Sequence, residues 1–180
     1  DFKDFIARFP EGLSIDPGDT LTLGIHNSAM FLSYWGYQPD ITLFDDEGML
    51  DAIEGETTIG LGEISLDQNI LHDNSECLIL FYWDQSSSTI QDVDYFLWGG
   101  TSYGVDKTDI EGYQSDTPIE LQSYIRYHGA DSSFVRKSNI ETDETNSNGN
   151  GITGHDITSE NFRLSWEVVP HPHFIGCTDP

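Results

Sequence analysis

The run Cys77-Leu78-Ile79-Leu80-Phe81-Tyr82-Trp83, the polar stretch Asp84-Gln85-Ser86-Ser87-Ser88 and the return from Thr89 to Trp98 decide the class of fold. The first run is wholly apolar and rich in β-formers, which predicts a strand buried on both faces. The polar stretch turns the chain. The return carries Val93, Tyr95 and Leu97 at alternate positions, so 77–98 reads as a β-hairpin closed by Gly99-Gly100.

Outward from the hairpin the elements are short. Thr20 to Ile25 alternates as a strand, behind a type II turn at Asp16-Pro17-Gly18-Asp19. Asn27-Ser28 caps a helix over Ala29 to Tyr34 that stops at Gly36. Its Met30, Phe31, Tyr34 and Trp35 form a stripe at helical spacing, expected in the core. Ile41 to Phe44 is a strand, and 51–75 is a long loop. Thr117-Pro118-Ile119-Glu120 opens a short helix reaching about Tyr127. Phe134 to Ile140 and Phe162 to Val169 read as strands around the polar loop 141–156. The pattern predicts a mostly β chain, a β-sandwich with one or two short helices and long acidic loops. It is drawn as a single domain over 1–169 with a Pro-rich tail over 170–180.

Composition restricts partners and location. The 180 residues include 32 acids against 7 bases, a net charge of −25. Such a chain repels nucleic-acid phosphates and anionic lipid, so neither is expected as a partner. Apolar residues are 37%, yet aromatics at 12% indicate a folded domain and not an acidic coil. No run approaches the ~18 apolar residues of a membrane span, so no membrane insertion is expected. No basic-then-apolar leader is visible, and a chain opening on Asp1 reads as a processed or partial one. Asp exceeds Glu, 20 to 12, and Lys numbers 3, a balance suited to secretion into salty or calcium-containing water. The acids then serve as a solvated, salt-screened surface or as carboxylate cation sites. Cys77 and Cys177 fit either one disulfide or two reduced thiols. The disulfide would close a loop of about a hundred residues and stabilise by roughly 4–5 kcal/mol.

In their order, IDPGDTLTLGI, SAMFLSYWG, the hairpin, SFVRKS and GNGITGHDITSEN resemble the bacterial lamin tail domain family over roughly residues 5 to 170. Val93-Asp94-Tyr95-Phe96-Leu97-Trp98-Gly99 and Gly149-Asn150-Gly151-Ile152-Thr153-Gly154-His155-Asp156 carry the likeness furthest. The resemblance implies an immunoglobulin-like β-sandwich in a secreted or surface protein, with no catalytic activity established for the domain. The family's opening strands, with an acidic stretch and a W-x-L-like motif, are missing here. A partial chain, or a strand supplied by another chain to an open sheet edge, would account for that.

Several groups invite chemistry. Asp143, Thr145 and Ser147, with Asp156 at the end of the loop, present oxygens at alternate positions to a hard cation such as Ca²⁺, although the spacing is not an EF-hand. A flexible hydrophilic loop is the plainer account. Asp92 and Asp94 lie two apart, hence on one strand face, near Asp84. They read as a cation or acid–base pair, or as a solvent-facing stripe opposite Val93, Tyr95 and Leu97. His155-Asp156 with Glu160 can be read as a metal or His–Asp site, but no nucleophile or H-E-x-x-H motif accompanies it. By the family likeness, His155 and Glu160 belong to a structural Gly turn. Arg136 is expected to pair with a carboxylate inside the fold. Trp35 and Trp98 are candidate sugar-stacking rings, with burial the default. His171 and His173 are weak metal ligands in the tail.

The sequence therefore predicts a non-catalytic secreted or cell-surface binding or structural module, stabilised by Ca²⁺. Its expected partners are a protein or glycan, or a second copy joined through an open sheet edge. A metal-dependent hydrolase using Asp92, Asp94 or His155-Asp156, and a filament subunit completed by strand exchange, remain the alternatives.

Overall fold

A computed structural model describes residues 6–43, 50–51, 71–72, 74–126, 132–138 and 144–170. Of these, 28% are strand and 14% helix, so the chain is β-rich with few helices. They fall into two compact units, one within Asp1–His72 and the other within Asp73–Phe174. The sequence reading places no boundary there.

In the first unit, β1 (Ala7–Arg8) pairs antiparallel with β4 (Leu50–Asp51). β2 (Leu23–Gly24) pairs parallel with β3 (Ile41–Thr42), so the strand expected over 20–25 is reduced to two residues. The Asp16–Asp19 turn closes with a 3.0 Å bond from the Asp19 amide to the Asp16 carbonyl, with Gly18 at φ +92°. Helix α1 (Ser28–Trp35) starts where the Asn27 side chain accepts the Met30 amide at 2.9 Å. It ends at left-handed Gly36, whose amide bonds the Leu32 carbonyl at 2.9 Å. The capping signals thus set both ends of the helix, but the stripe is not core: α1 has no buried residue, and Tyr34 is 79% exposed. Ile41 and Leu43 are buried instead.

The second unit is built on the hairpin. β5 (Glu76–Tyr82) and β6 (Gln91–Trp98) pair antiparallel from Glu76↔Trp98 to Tyr82↔Gln91. Asp84 clamps the turn by accepting from the Ser87 and Ser86 amides at 2.7 and 2.8 Å and from the Ser87 hydroxyl at 2.7 Å. Those donors, the Ser87 amide foremost, hold its carboxyl well below the usual range.

The two strands exchange the burial expected of them. In the apolar strand β5, Leu78, Leu80 and Tyr82 are 46%, 43% and 52% exposed. Among the described residues no other strand pairs with its outer edge. β6 is the inner strand. Beyond β5 it bridges Gly151 from Asp92 and Ile125 from Trp98, and its Tyr95, Leu97 and Trp98 are buried. The expectation of a strand buried on both faces therefore fails for 77–83. It fails because 91–98 can bury Asp92 by pairing it with Lys107, and so can take the inner position.

β7 (Ser132–Arg136) and β8 (Trp166–Pro170) form the second antiparallel ladder. The strand expected over 162–169 begins instead as helix α2 (Phe162–Ser165) and turns extended only at Trp166. The helix expected after Thr117 is a single 3-10 turn over Ile119–Leu121. The Phe96 ring packs against Trp166, Phe134 and Phe162, with centroids 4.4, 5.1 and 5.7 Å away. Phe162 also meets Tyr95 at 6.1 Å. Each such aromatic pair contributes about 0.5–1.5 kcal/mol beyond its burial.

Candidate functional site

The charged groups of the second unit gather around β6 in two separate arrangements, and a bulge divides them. Between Leu80↔Asp94 and Phe81↔Asp92 the register shifts, leaving Val93 as the extra residue. A bulge resets the alternation of side chains along a strand. Asp92 and Asp94 therefore do not form the one-faced pair that their spacing suggests. Each has its own cation.

Asp92 is fully buried rather than part of a solvent-facing stripe, with its side chain 1% exposed and that of Lys107 8% exposed. The Lys107 ammonium lies 2.8 Å from Asp92 Oδ2 and 3.1 Å from Asp116 Oδ2, with the Tyr113 ring 5.9 Å away. Asp116 is held firmly: Oδ2 accepts the Lys107 amide at 2.8 Å and Oδ1 accepts Asn150 Nδ2 at 2.6 Å. The Asp92 backbone is held too, its amide donating to the Asn150 carbonyl and its carbonyl accepting the Ile152 amide. By contrast, no amide or hydroxyl among the described residues donates to either Asp92 carboxyl oxygen, and the Lys107 ammonium is its close partner. Burial raises the Asp92 carboxyl above the usual range; Lys107 opposes the rise, and the nearby Asp116 and Asp156 charges add to it. For Lys107 burial works against the charge, but Asp92 and Asp116 outweigh it and the ammonium keeps its proton beyond the ordinary lysine range.

The second arrangement centres on Arg136 at the end of β7. Its Nη2 reaches both Asp94 oxygens, at 3.0 and 3.1 Å, and its Nη1 lies 3.4 Å from Glu160 Oε1. The guanidinium stacks on Trp166, 4.7 Å from the ring centroid. Glu160 is 1% exposed and also accepts Trp166 Nε1 at 3.2 Å. A planar, weakly hydrated cation between a carboxylate pair and an indole is a role lysine cannot fill.

The remaining candidates are placed as follows. Asp156 is buried and accepts from Thr158 N and Thr158 Oγ1 on one oxygen, and from Thr117 Oγ1 and Asn146 Nδ2 on the other. It caps the 3-10 turn Ile157–Ser159 and ties three segments together. His155 is exposed and its carbonyl accepts the Gly151 amide at 2.9 Å, whereas Asp156 is buried and takes its donors from Thr117, Asn146 and Thr158. A Cβ on Gly149 would strike the Asp156 backbone, and one on Gly151 would strike the His155 carbonyl. Thr145 bonds Ser159 through its amide at 3.0 Å and its hydroxyl at 3.3 Å, while Ser147 is exposed. Asp143, Cys177, His171 and His173 lie outside the described residues, as does any pairing of Cys177 with Cys77. Among the described residues, no group of three His, Cys, Asp or Glu side chains is placed to hold a metal ion. Trp98 is buried; Trp35 is 38% exposed beside Tyr34.

Sequence reasoning passes over Lys107, Asp116 and Gln122, and takes Asn150 only as part of the polar Gly-rich loop. Gln122 is 4% exposed, accepts the Tyr95 hydroxyl at 2.7 Å, and donates to the Val105 and Thr117 carbonyls. Burial in that setting, with Cys77 next in effect, pushes the Tyr95 hydroxyl far above its ordinary range, so Tyr95 serves as a neutral donor. Lys107 carried one usable signal, as one of 3 lysines in a chain of 32 acids. No protein-family model, no curated protein and no solved structure matches the chain. No helix among the described residues is long and apolar enough to cross a membrane.

Proposed function

We propose that the chain is a non-catalytic binding module of an extracellular surface, with an immunoglobulin-like sandwich of the lamin tail type as its fold. The excess of Asp and the charge of −25 support a secreted or cell-surface location. The observation that carries the binding role is the outer edge of β5. It has no partner strand among the described residues, and Leu78, Leu80 and Tyr82 project beside it. An apolar edge of this kind is a template for an added strand, whose own alternate side chains would pack on those three. Charge decides which strand. Two copies of a −25 chain repel, whereas an extended segment with alternating apolar residues and Lys or Arg flanks is attracted, the more so with Glu76 and Asp84 at the two ends of the edge.

The test is selection of a random peptide library on the immobilised chain. Selected peptides are expected to alternate apolar residues between basic flanks and to bind more weakly as salt rises. Leu80→Lys with Tyr82→Lys, which blunts the edge, should weaken them at least about tenfold. Peptides that bind the double variant equally well, or a chain that dimerises through β5 instead, would remove the proposal.

A further inference from the structure

A buried lysine 2.8 Å from a buried carboxylate is ordinarily an ion pair, but two features here are unusual for one. Asp92 accepts from no amide or hydroxyl among the described residues, so the Lys107 ammonium alone holds it as a carboxylate. A second carboxylate, Asp116, lies 3.1 Å from the same nitrogen and is itself pinned by Asn150 and by the Lys107 amide. Nucleophile, electrophile and a positioned proton carrier are thus assembled where water is excluded.

We propose that Lys107 and Asp92 condense into an intramolecular amide, an isopeptide cross-link between β6 and the segment that carries Lys107, with Asp116 as the base. Burial shifts the Asp92 carboxyl towards its neutral form, whereas Asp92 and Asp116 together favour the ammonium, so the reactive amine arises only when a proton passes from Lys107 to Asp92. A proton passing from the ammonium leaves an amine facing a carboxylic acid. The Nζ lone pair attacks Asp92 Cγ and a C–N bond forms. Asp116 takes the remaining surplus proton from nitrogen and returns it to the departing oxygen, which leaves as water when the C–O bond breaks. In sum, one ammonium and one carboxylate give one amide and one water. Nothing is oxidised or reduced, and no co-reactant is required. The product places a neutral amide where two charges were buried. This inference is independent of the strand-addition proposal, since the pair lies in the interior and not at the β5 edge.

Intact mass spectrometry of the full chain under denaturing conditions tests it. The expected mass is the sequence mass less one water. Trypsin should fail to cut after Lys107, and fragmentation should join the peptides carrying residues 92 and 107. Lys107→Met and Asp92→Ala should each show the full mass of their own sequence. Asp116→Asn keeps both reacting groups; it should fold by circular dichroism and remain uncondensed. A wild-type chain at its full sequence mass, cut normally after Lys107, overturns the cross-link. Folded Asp116→Asn that still loses water overturns the role of Asp116.

Discussion

Replacing Lys107 with Met is expected to destabilise the second unit by about 3–5 kcal/mol relative to the chain in which Lys107 and Asp92 are still an uncondensed ion pair. Met roughly matches the Lys stem in shape, so the loss measures charge and not packing. Without the ammonium, Asp92 and Asp116 are left in one buried space with no cation between them. The pH dependence has a definite sign. In the fold, burial already raises Asp92 above its reference value of 3.8. A carboxyl raised in the fold favours the native state while protonated, at pH below its unfolded value, and that contribution is lost as pH rises through the folded value. The deficit of Lys107→Met should therefore be greatest at neutral pH and shrink towards about pH 4. Urea unfolding of the variant and of wild-type chain shown by its mass to be uncondensed measures it across that range. A deficit that does not change with pH would mean the lysine acts through its stem alone.

Asp156→Ala has the second large effect, for a different reason. One carboxylate accepts from four donors that reach it from the 117, 146 and 158 positions. Each hydrogen bond to a charged group contributes about 1.5–3 kcal/mol, and removing the acceptor leaves donors buried without a partner. The expected cost is about 3–5 kcal/mol, set by the donors that cannot turn to water. Ser147→Ala in the same loop, where the side chain is exposed, should stay within about 0.5 kcal/mol. Thermal unfolding of the two variants side by side gives the comparison. Equal effects would show that the loop hangs on its backbone and not on Asp156.

The contrast between local and distant causes explains what the sequence could convey. The hairpin, the Asp16–Asp19 turn and both caps of α1 depend on residues within a few positions of one another, and all are present. The inside and the outside of the hairpin were not legible. Hydrophobicity marked 77–83 as the inner strand, but Lys107, distant in sequence, neutralises Asp92 and lets it be buried with Tyr95, Leu97 and Trp98 on 91–98 instead. The spacing of those two acids suggested a shared face, and a bulge at Val93, which carries no Gly or Pro signal, separates them. The stripe on α1 had helical period and apolar content, yet period indicates only which residues share a face, not whether anything covers it. Arg136 was legible as a buried partner because arginine is scarce here and fits carboxylates. Asp116 and Asn150 were not, since each reads as loop polarity until the fold brings it to Lys107.

The Asp84 clamp, introduced above as a turn, also bears on the order of folding. Its three hydrogen bonds close within four residues, so they cost little loop entropy and can form on the microsecond scale of hairpins. The Asp156 junction joins positions 39 and 10 residues apart and must wait for the chain to bring them together. Asp84→Ala should accordingly slow refolding, while Asp156→Ala should chiefly hasten unfolding, and stopped-flow traces in urea would separate the two limbs. Equal shares in both limbs for both variants would mean that turn and junction form together. In the order expected here, β5 and β6 pair while the 107–116 and 144–160 segments are still open. The carboxylate of Asp92 would then be hydrated through the early stages and lose its water only at the last, when Lys107 arrives.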